Sequence, residues 1–109
     1  MAITPGLALR VMTRDRFRCV YCLRGAEDGV ELTIDHVVPQ VWYADPRRAD
    51  RRDADAPSNL VTACGPCNSR KRDMNLPVYA HYLRERFGAD TRALVARVRA
   101  AVRRPLPEA

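Results

Sequence analysis

An α+β fold, in one small domain that needs a tie beyond its own core, is what this chain predicts, and three observations predict it. The stretch Glu31-Leu32-Thr33-Ile34-Asp35 alternates polar with apolar residues and is rich in strand formers. Two segments near the chain ends carry apolar residues at helical spacing: Leu7, Val11 and Met12 in one, Leu94, Val98, Ala101 and Val102 in the other. Between them the four cysteines fall into two pairs far apart in the chain, Cys19-Val20-Tyr21-Cys22 and Cys64-Gly65-Pro66-Cys67.

At 109 residues the chain has room for one compact domain, 1–109. Leu, Ile, Val and Phe together make up little more than a fifth of it, just above the level at which a charged chain tends to stay disordered. Burial alone would give a marginal fold. The cysteines supply what is missing. A C-x-x-C turn brings two thiolates to one ion, and two such turns complete a tetrahedron. Cys19, Cys22, Cys64 and Cys67 are therefore predicted to hold one structural Zn²⁺. Two disulfides fit poorly with a chain lacking a secretion signal, and a redox pair would leave the second pair unexplained. With four protein ligands the ion has no open position for a substrate, so its role is to stabilise. Its four thiolates leave −2 locally, which lowers the formal charge of +6 to +4. Other zinc patterns fail. Neither His36 nor His81 is followed two residues later by Glu, as a zinc deaminase requires. The two histidines are also too far apart to complete a two-Cys, two-His finger.

Along the chain, the first helix carries Leu7, Val11 and Met12 with Arg10 and Arg14 between them, and ends near Asp15. Phe17 to Cys22 reads as a knuckle strand and turn. The strand Glu31–Asp35 is left at Val37-Val38-Pro39, because Pro cannot donate to a ladder. Residues 44–57 hold eight charges, two prolines and no large apolar side chain, which predicts a solvated loop. Ser58-Asn59-Leu60-Val61 returns to the core. Gly65 to about Arg72 is a helix beginning inside the second knuckle, and Pro77 to Phe87 is another, with Gly88 as its stop. Asp90 can cap a last helix that runs to about Arg103 and is stopped by Pro105. Trp42 and Tyr43 are expected to cap the small core, and His81 to be structural or at the surface. No run of 18 apolar residues exists, so no membrane span is expected. Met1 to Leu9 has no basic stretch ahead of an apolar one, so no signal peptide is expected, and the location is expected to be cytoplasmic.

The charge is uneven. Residues 1–59 carry nine Arg against nine acids, whereas residues 60–109 carry ten basic groups against Asp73, Glu85, Asp90 and Glu108. The excess lies wholly in the second half and points to a polyanionic partner. The segment 89–109 offers Arg92, Arg97, Arg99, Arg103 and Arg104, so its deletion is expected to weaken nucleic-acid binding and flatten the salt dependence.

Between the knuckles stands Leu32-Thr33-Ile34-Asp35-His36-Val37-Val38-Pro39. Arg14-Asp15 precedes it, Asn59-Leu60-Val61 follows, and Cys64-x-x-Cys67-Asn68-x-x-Lys71 closes the series. In this order, over residues 10–72, the chain resembles the HNH nuclease family in its zinc-knuckle branch. The resemblance implies a small zinc-stabilised ββα-metal domain with flanking helices, the basic C-terminal ones over about 77–104. It implies a metal-dependent endonuclease hydrolysing phosphodiester bonds in DNA; the residues do not separate DNA from RNA. Asp35 and Asn68 would hold the catalytic ion, Mg²⁺ or Mn²⁺, which hard oxygen ligands suit. His36 would be the general base, and Asn59 would fix the hairpin loop and orient the imidazole. Arg70, Lys71 and Arg72, following the metal ligand, are candidates for phosphate contacts. A protein partner such as phage packaging machinery is compatible with the resemblance.

The chemistry supports that division. Phosphodiester hydrolysis needs a base at neutral pH, which His supplies, and a cation to stabilise developing charge. Adjacent strand residues point to opposite faces. Asp35 and His36 can therefore serve one site only if the backbone bends before Pro39. The chain also departs from the family's usual pattern: Leu23 stands where Gly usually follows the first knuckle, and the hairpin loop is long and charged. The alternative reading is a non-catalytic, zinc-dependent nucleic-acid-binding module using the same arginine surface.

Overall fold

The computed structural model describes residues 3–43 and 54–108. The predicted loop 44–57 thus lies, through residue 53, outside the described residues. Helix α1 (Pro5–Arg14) starts at Thr4, whose hydroxyl accepts from the Leu7 amide at 3.2 Å, with Pro at its first position. It ends at Asp15 as expected. The chain then reverses through Arg16 and Phe17, both at positive φ, into the first knuckle, closed by a bridge between Arg18 and Gly25. One 3₁₀ turn follows over Ala26–Asp28.

Strand β1 (Leu32–His36) pairs antiparallel with β2 (Leu60–Cys64), in the register Leu32↔Cys64, Ile34↔Thr62 and His36↔Leu60. Between them sit a single helical turn, α2 (Gln40–Tyr43), and a 3₁₀ turn over Pro57–Asn59. A four-residue turn is too short to leave a periodic signal, and α2 had none. Trp42 on α2 is 40% exposed, so it does not cap the core as expected. The chain passes directly from β2 into α3 (Gly65–Lys71), which completes the ββα unit. Helix α4 (Leu76–Phe87) is capped by Asn75 and stopped by the left-handed Gly88. Helix α5 (Arg92–Arg103) follows, with Asp90 Oδ1 accepting from the Arg92 amide at 3.1 Å.

Every residue of β2 is buried, because both its faces and its second edge are covered. Paired with Ile34, Thr62 turns its backbone away from β1: its carbonyl accepts from the Val20 amide (3.0 Å) and its amide donates to Asp15 Oδ2 (2.8 Å). Arg14 binds the same Asp15 carboxylate and donates to the Leu60 carbonyl at 2.6 Å. Arg14 and Asp15 therefore finish a sheet edge that would otherwise bury unpaired amides. Leu94, Val98 and Ala101 of the predicted α5 stripe are buried beside Tyr79, Leu83 and the knuckle residues, and Val102 packs at their margin. Arg97 of α5 donates to the Val20 and Tyr21 carbonyls (3.1 and 3.0 Å), locking the helix onto the first knuckle. Among the described residues no helix is long and apolar enough to cross a membrane.

Candidate functional site

The four cysteines converge although the two pairs stand far apart in the sequence. Cys64 ends β2 and Cys67 lies in the first turn of α3, where the Cys64 sulfur also accepts the Cys67 amide as a helix cap (3.4 Å). The Val20 bond to β2 sets the first knuckle beside them. All four sulfurs lie within 4.8 Å of one another, the Cys22–Cys64 pair at 3.6 Å. Four thiolates around a zinc ion at Zn–S of about 2.3 Å stand about 3.8 Å apart, so the donor set fits zinc in number, type and spacing. The Cys67 thiol, donating to Cys19, pulls Cys19 down to about 5. Cys67 is itself pushed up, chiefly by that bond, and Cys64 is pushed up by burial. A divalent cation held by the four sulfurs would take the place of these protons. Arg24 faces the cluster, 3.3 Å from the Cys22 sulfur.

Asp35 and His36 leave β1 on opposite faces. The strand keeps its pairing through His36↔Leu60, and the bend expected before Pro39 comes only after it, at Val37 and Val38, too late to turn the two side chains to one face. Asp35 is buried on the α3 side, where its Oδ2 accepts from the Tyr21 hydroxyl (2.5 Å) and meets the Lys71 ammonium (3.1 Å). Burial raises the Asp35 pKa, against the opposing pull of Lys71. Burial also holds the Tyr21 hydroxyl protonated, with the Asp35 charge adding to it. Lys71, with no exposed surface, donates as well to the His36 carbonyl at 2.9 Å.

His36 lies on the other face, beside Leu32, Ile34 and Met12. Its Nε2 is 2.7 Å from Asp55 Oδ1, with 17% of its side chain exposed. Asn59 is buried and ties the two arms of the hairpin. Its Oδ1 accepts from the Val38 amide (2.8 Å), and its Nδ2 donates to the Val38 and Ala54 carbonyls (3.0 and 2.9 Å). This one side chain anchors both the segment leaving His36 and the segment bringing in Asp55.

The remaining predicted residues spread apart. Asn68 is half-buried on α3 and borders a hollow with Glu31 and Thr33, whereas the α3 residue that reaches Asp35 is Lys71. The expected phosphate-binding trio does not form one surface. Consecutive helical residues point about 100° apart, so Arg70 turns to the Phe87 ring (5.4 Å), Lys71 turns inward, and Arg72 alone is exposed. Lys71 as a phosphate contact is thereby corrected, because a side chain without exposed surface cannot touch a ligand's phosphate. His81 is at the surface. Sequence reasoning missed Asp55 and Tyr21 as partners of His36 and Asp35. Asp55 is one of eight charges in a segment without pattern. Lys71 did carry a signal: it stands four residues after Cys67, on the helix face that the buried Cys67 already turns inward.

A family model described as HNH endonuclease matches residues 19–74, just over half of the chain. No curated protein and no solved structure matches it.

Proposed function

Because the chain belongs to the HNH endonuclease family, we propose that it is a metal-dependent endonuclease that hydrolyses phosphodiester bonds in DNA, with His36 as general base. The observation that carries the reading is the His36–Asp55 pair at 2.7 Å, held at the end of the sheet by Asn59. An imidazole that donates Nε2–H to Asp55 keeps Nδ1 as its basic nitrogen, and Nδ1 takes the proton of the attacking water. The Asp55 carboxylate then steadies the imidazolium. Asn59 positions both partners and touches no reacting atom. A bound Mg²⁺ or Mn²⁺ supplies charge stabilisation at the scissile phosphate. Asp35 and Asn68 are the oxygen donors that the family pattern assigns to it; because Asp35 leaves β1 on the face opposite His36, this reading requires the end of the hairpin to rearrange when ion and phosphate bind. The four-cysteine zinc site, by contrast, organises the fold.

One observation favours the non-catalytic binding module: Asp35 Oδ2 already has two partners. Among the described residues, moreover, the cysteines are the one group of three or more metal-binding side chains gathered together. Nicking of supercoiled plasmid across a Mg²⁺ and Mn²⁺ titration separates the two readings. His36→Ala is expected to lose about 10²–10⁴-fold in rate, the usual contribution of a positioned base, while keeping its zinc and its affinity for DNA. Asn68→Ala should instead move the metal requirement upward. Wild-type nicking by His36→Ala would sink the base assignment, and an inert wild type that still binds DNA would leave the binding module.

A further inference from the structure

Between the C-terminal end of α1, the first knuckle and α5 lies a cavity of about 300 Å³ whose wall is apolar, from Val20, Leu23 and Ala100, and whose rim carries arginines. It runs along the edge of β2 that faces away from β1, since the neighbouring Asp15 and Val20 bond that edge. It is therefore separate from His36. Two rim arginines are committed. Arg18 pairs with Glu27 and Asp28 and donates to the Leu23 carbonyl, and Arg97 holds the knuckle carbonyls. The other two are held less tightly. Arg104 comes no nearer than 4.0 Å to Asp15, whose carboxylate is already bound by Arg14 and the Thr62 amide. Arg16 is exposed, and among the described residues its side chain makes no hydrogen bond or ion pair.

The backbone here is unusual. Of the four non-glycine residues at positive φ among the described residues, two line this cavity, Arg16 (60°) and Leu23 (68°), and Phe17 (55°) follows Arg16 in the chain. Glycine adopts that region freely, and a residue with a β-carbon does so against steric resistance. Leu23 and Phe17 are also 49% and 46% exposed, so burial within the chain does not offset the strain. An apolar wall beside one guanidinium without a partner, Arg16, and one held only at 4.0 Å from Asp15, Arg104, suits a ligand with one flat apolar face and one anionic group. A lone anion would make no use of Leu23, and an apolar ligand none of Arg16. The volume is at the lower end for ligand pockets. It has room for one nucleotide and not for a duplex with two backbones.

We infer that this pocket receives one unpaired nucleotide of a nucleic-acid strand, its base against Leu23 and Ala100 and its phosphate between Arg16 and Arg104. The inference rests on the reading that the partner is nucleic acid, and adds to it a second, single-strand contact away from the scissile bond. The test is fluorescence anisotropy of a fluorescein-labelled twelve-residue oligothymidine with the zinc-loaded full chain, without Mg²⁺ or Mn²⁺, over a salt series. Leu23→Gly relieves the strain, so its thermal midpoint should stay level or rise while its affinity falls about threefold to tenfold. The double variant Arg16→Ala, Arg104→Ala should flatten the log–log salt slope by about 0.7 for each phosphate that is no longer neutralised. Wild-type affinity and slope in both variants would overturn the inference, as would equal competition by polyaspartate of the same charge, which would mark the pocket as open to any acidic chain. A wild type that nicks plasmid in Mg²⁺ but does not bind the oligothymidine sinks this inference alone. One that does neither sinks the nuclease reading with it.

Discussion

Lys71 brings a full charge into the interior because two oxygens are there to receive it, Asp35 Oδ2 and the His36 carbonyl. Removing one partner of a buried pair is far more damaging than never having had the pair, since the other charge stays behind without compensation. Lys71→Met is therefore expected to destabilise the fold by about 3–5 kcal/mol near neutral pH. The sign of its pH dependence follows from Asp35, whose pKa is raised by burial and restrained by Lys71. A carboxyl raised in the folded state favours folding when protonated, and that contribution is lost as pH rises through its folded value. Without Lys71 the rise is larger, so the deficit of the variant should be small in acid and grow toward neutrality. Urea midpoints at several values between about pH 4 and pH 8 will show this, and a deficit that shrinks with rising pH would contradict the pairing. Asn59→Ala strips one buried side chain of all three of its bonds, and should cost about 1–3 kcal/mol, read from the same titrations.

Helix α5 is part of the core, and this changes what its arginines mean. The charge pattern suggested a basic segment that could be removed to weaken nucleic-acid binding. The structure buries Leu94, Val98 and Ala101 of that segment and fastens Arg97 to the first knuckle. Deleting residues 89–109 is accordingly expected to abolish the cooperative thermal transition, which circular dichroism would detect, and so to say nothing about binding. The separable charges are Arg99 and Arg103, exposed on the outer side of the helix. Arg99→Ala with Arg103→Ala should leave stability within about 0.5 kcal/mol. The salt slope on duplex DNA should fall by about 0.9 for each phosphate these arginines neutralise. An unchanged slope would show that they only solvate the surface.

For the whole molecule the four-cysteine cluster adds a tie between parts that the buried core and the Val20 and Asp15 bonds to β2 already bring together. It fastens the knuckle before β1 to the junction of β2 and α3, and α5 docks onto that knuckle. Where no ligand set is assembled in the unfolded chain, the metal's binding free energy is folding free energy. Cys19→Ser and Cys64→Ser should each lose cooperative unfolding, and elemental analysis of protein purified without added metal should find close to one zinc per chain. Folded, metal-free protein would refute the assignment.

What the sequence determined by itself is whatever rests on neighbours in the chain. The C-x-x-C spacing named all four sulfurs, alternation named β1, and the end of α1 at Asp15 and the left-handed Gly88 that stops α4 lie where local pattern put them. Asn59 was legible as a loop anchor because the resemblance marked its position. The tertiary structure alone decided which basic and acidic groups meet. Lys71 lies 35 positions from the carbonyl it binds, His36 lies 19 from Asp55, and Arg97 lies 77 from Val20. With 19 basic and 13 acidic residues in the chain, no local period or propensity records such pairings. They are chosen by burial, which brings a charge inside only where the folded backbone has already placed an oxygen to receive it.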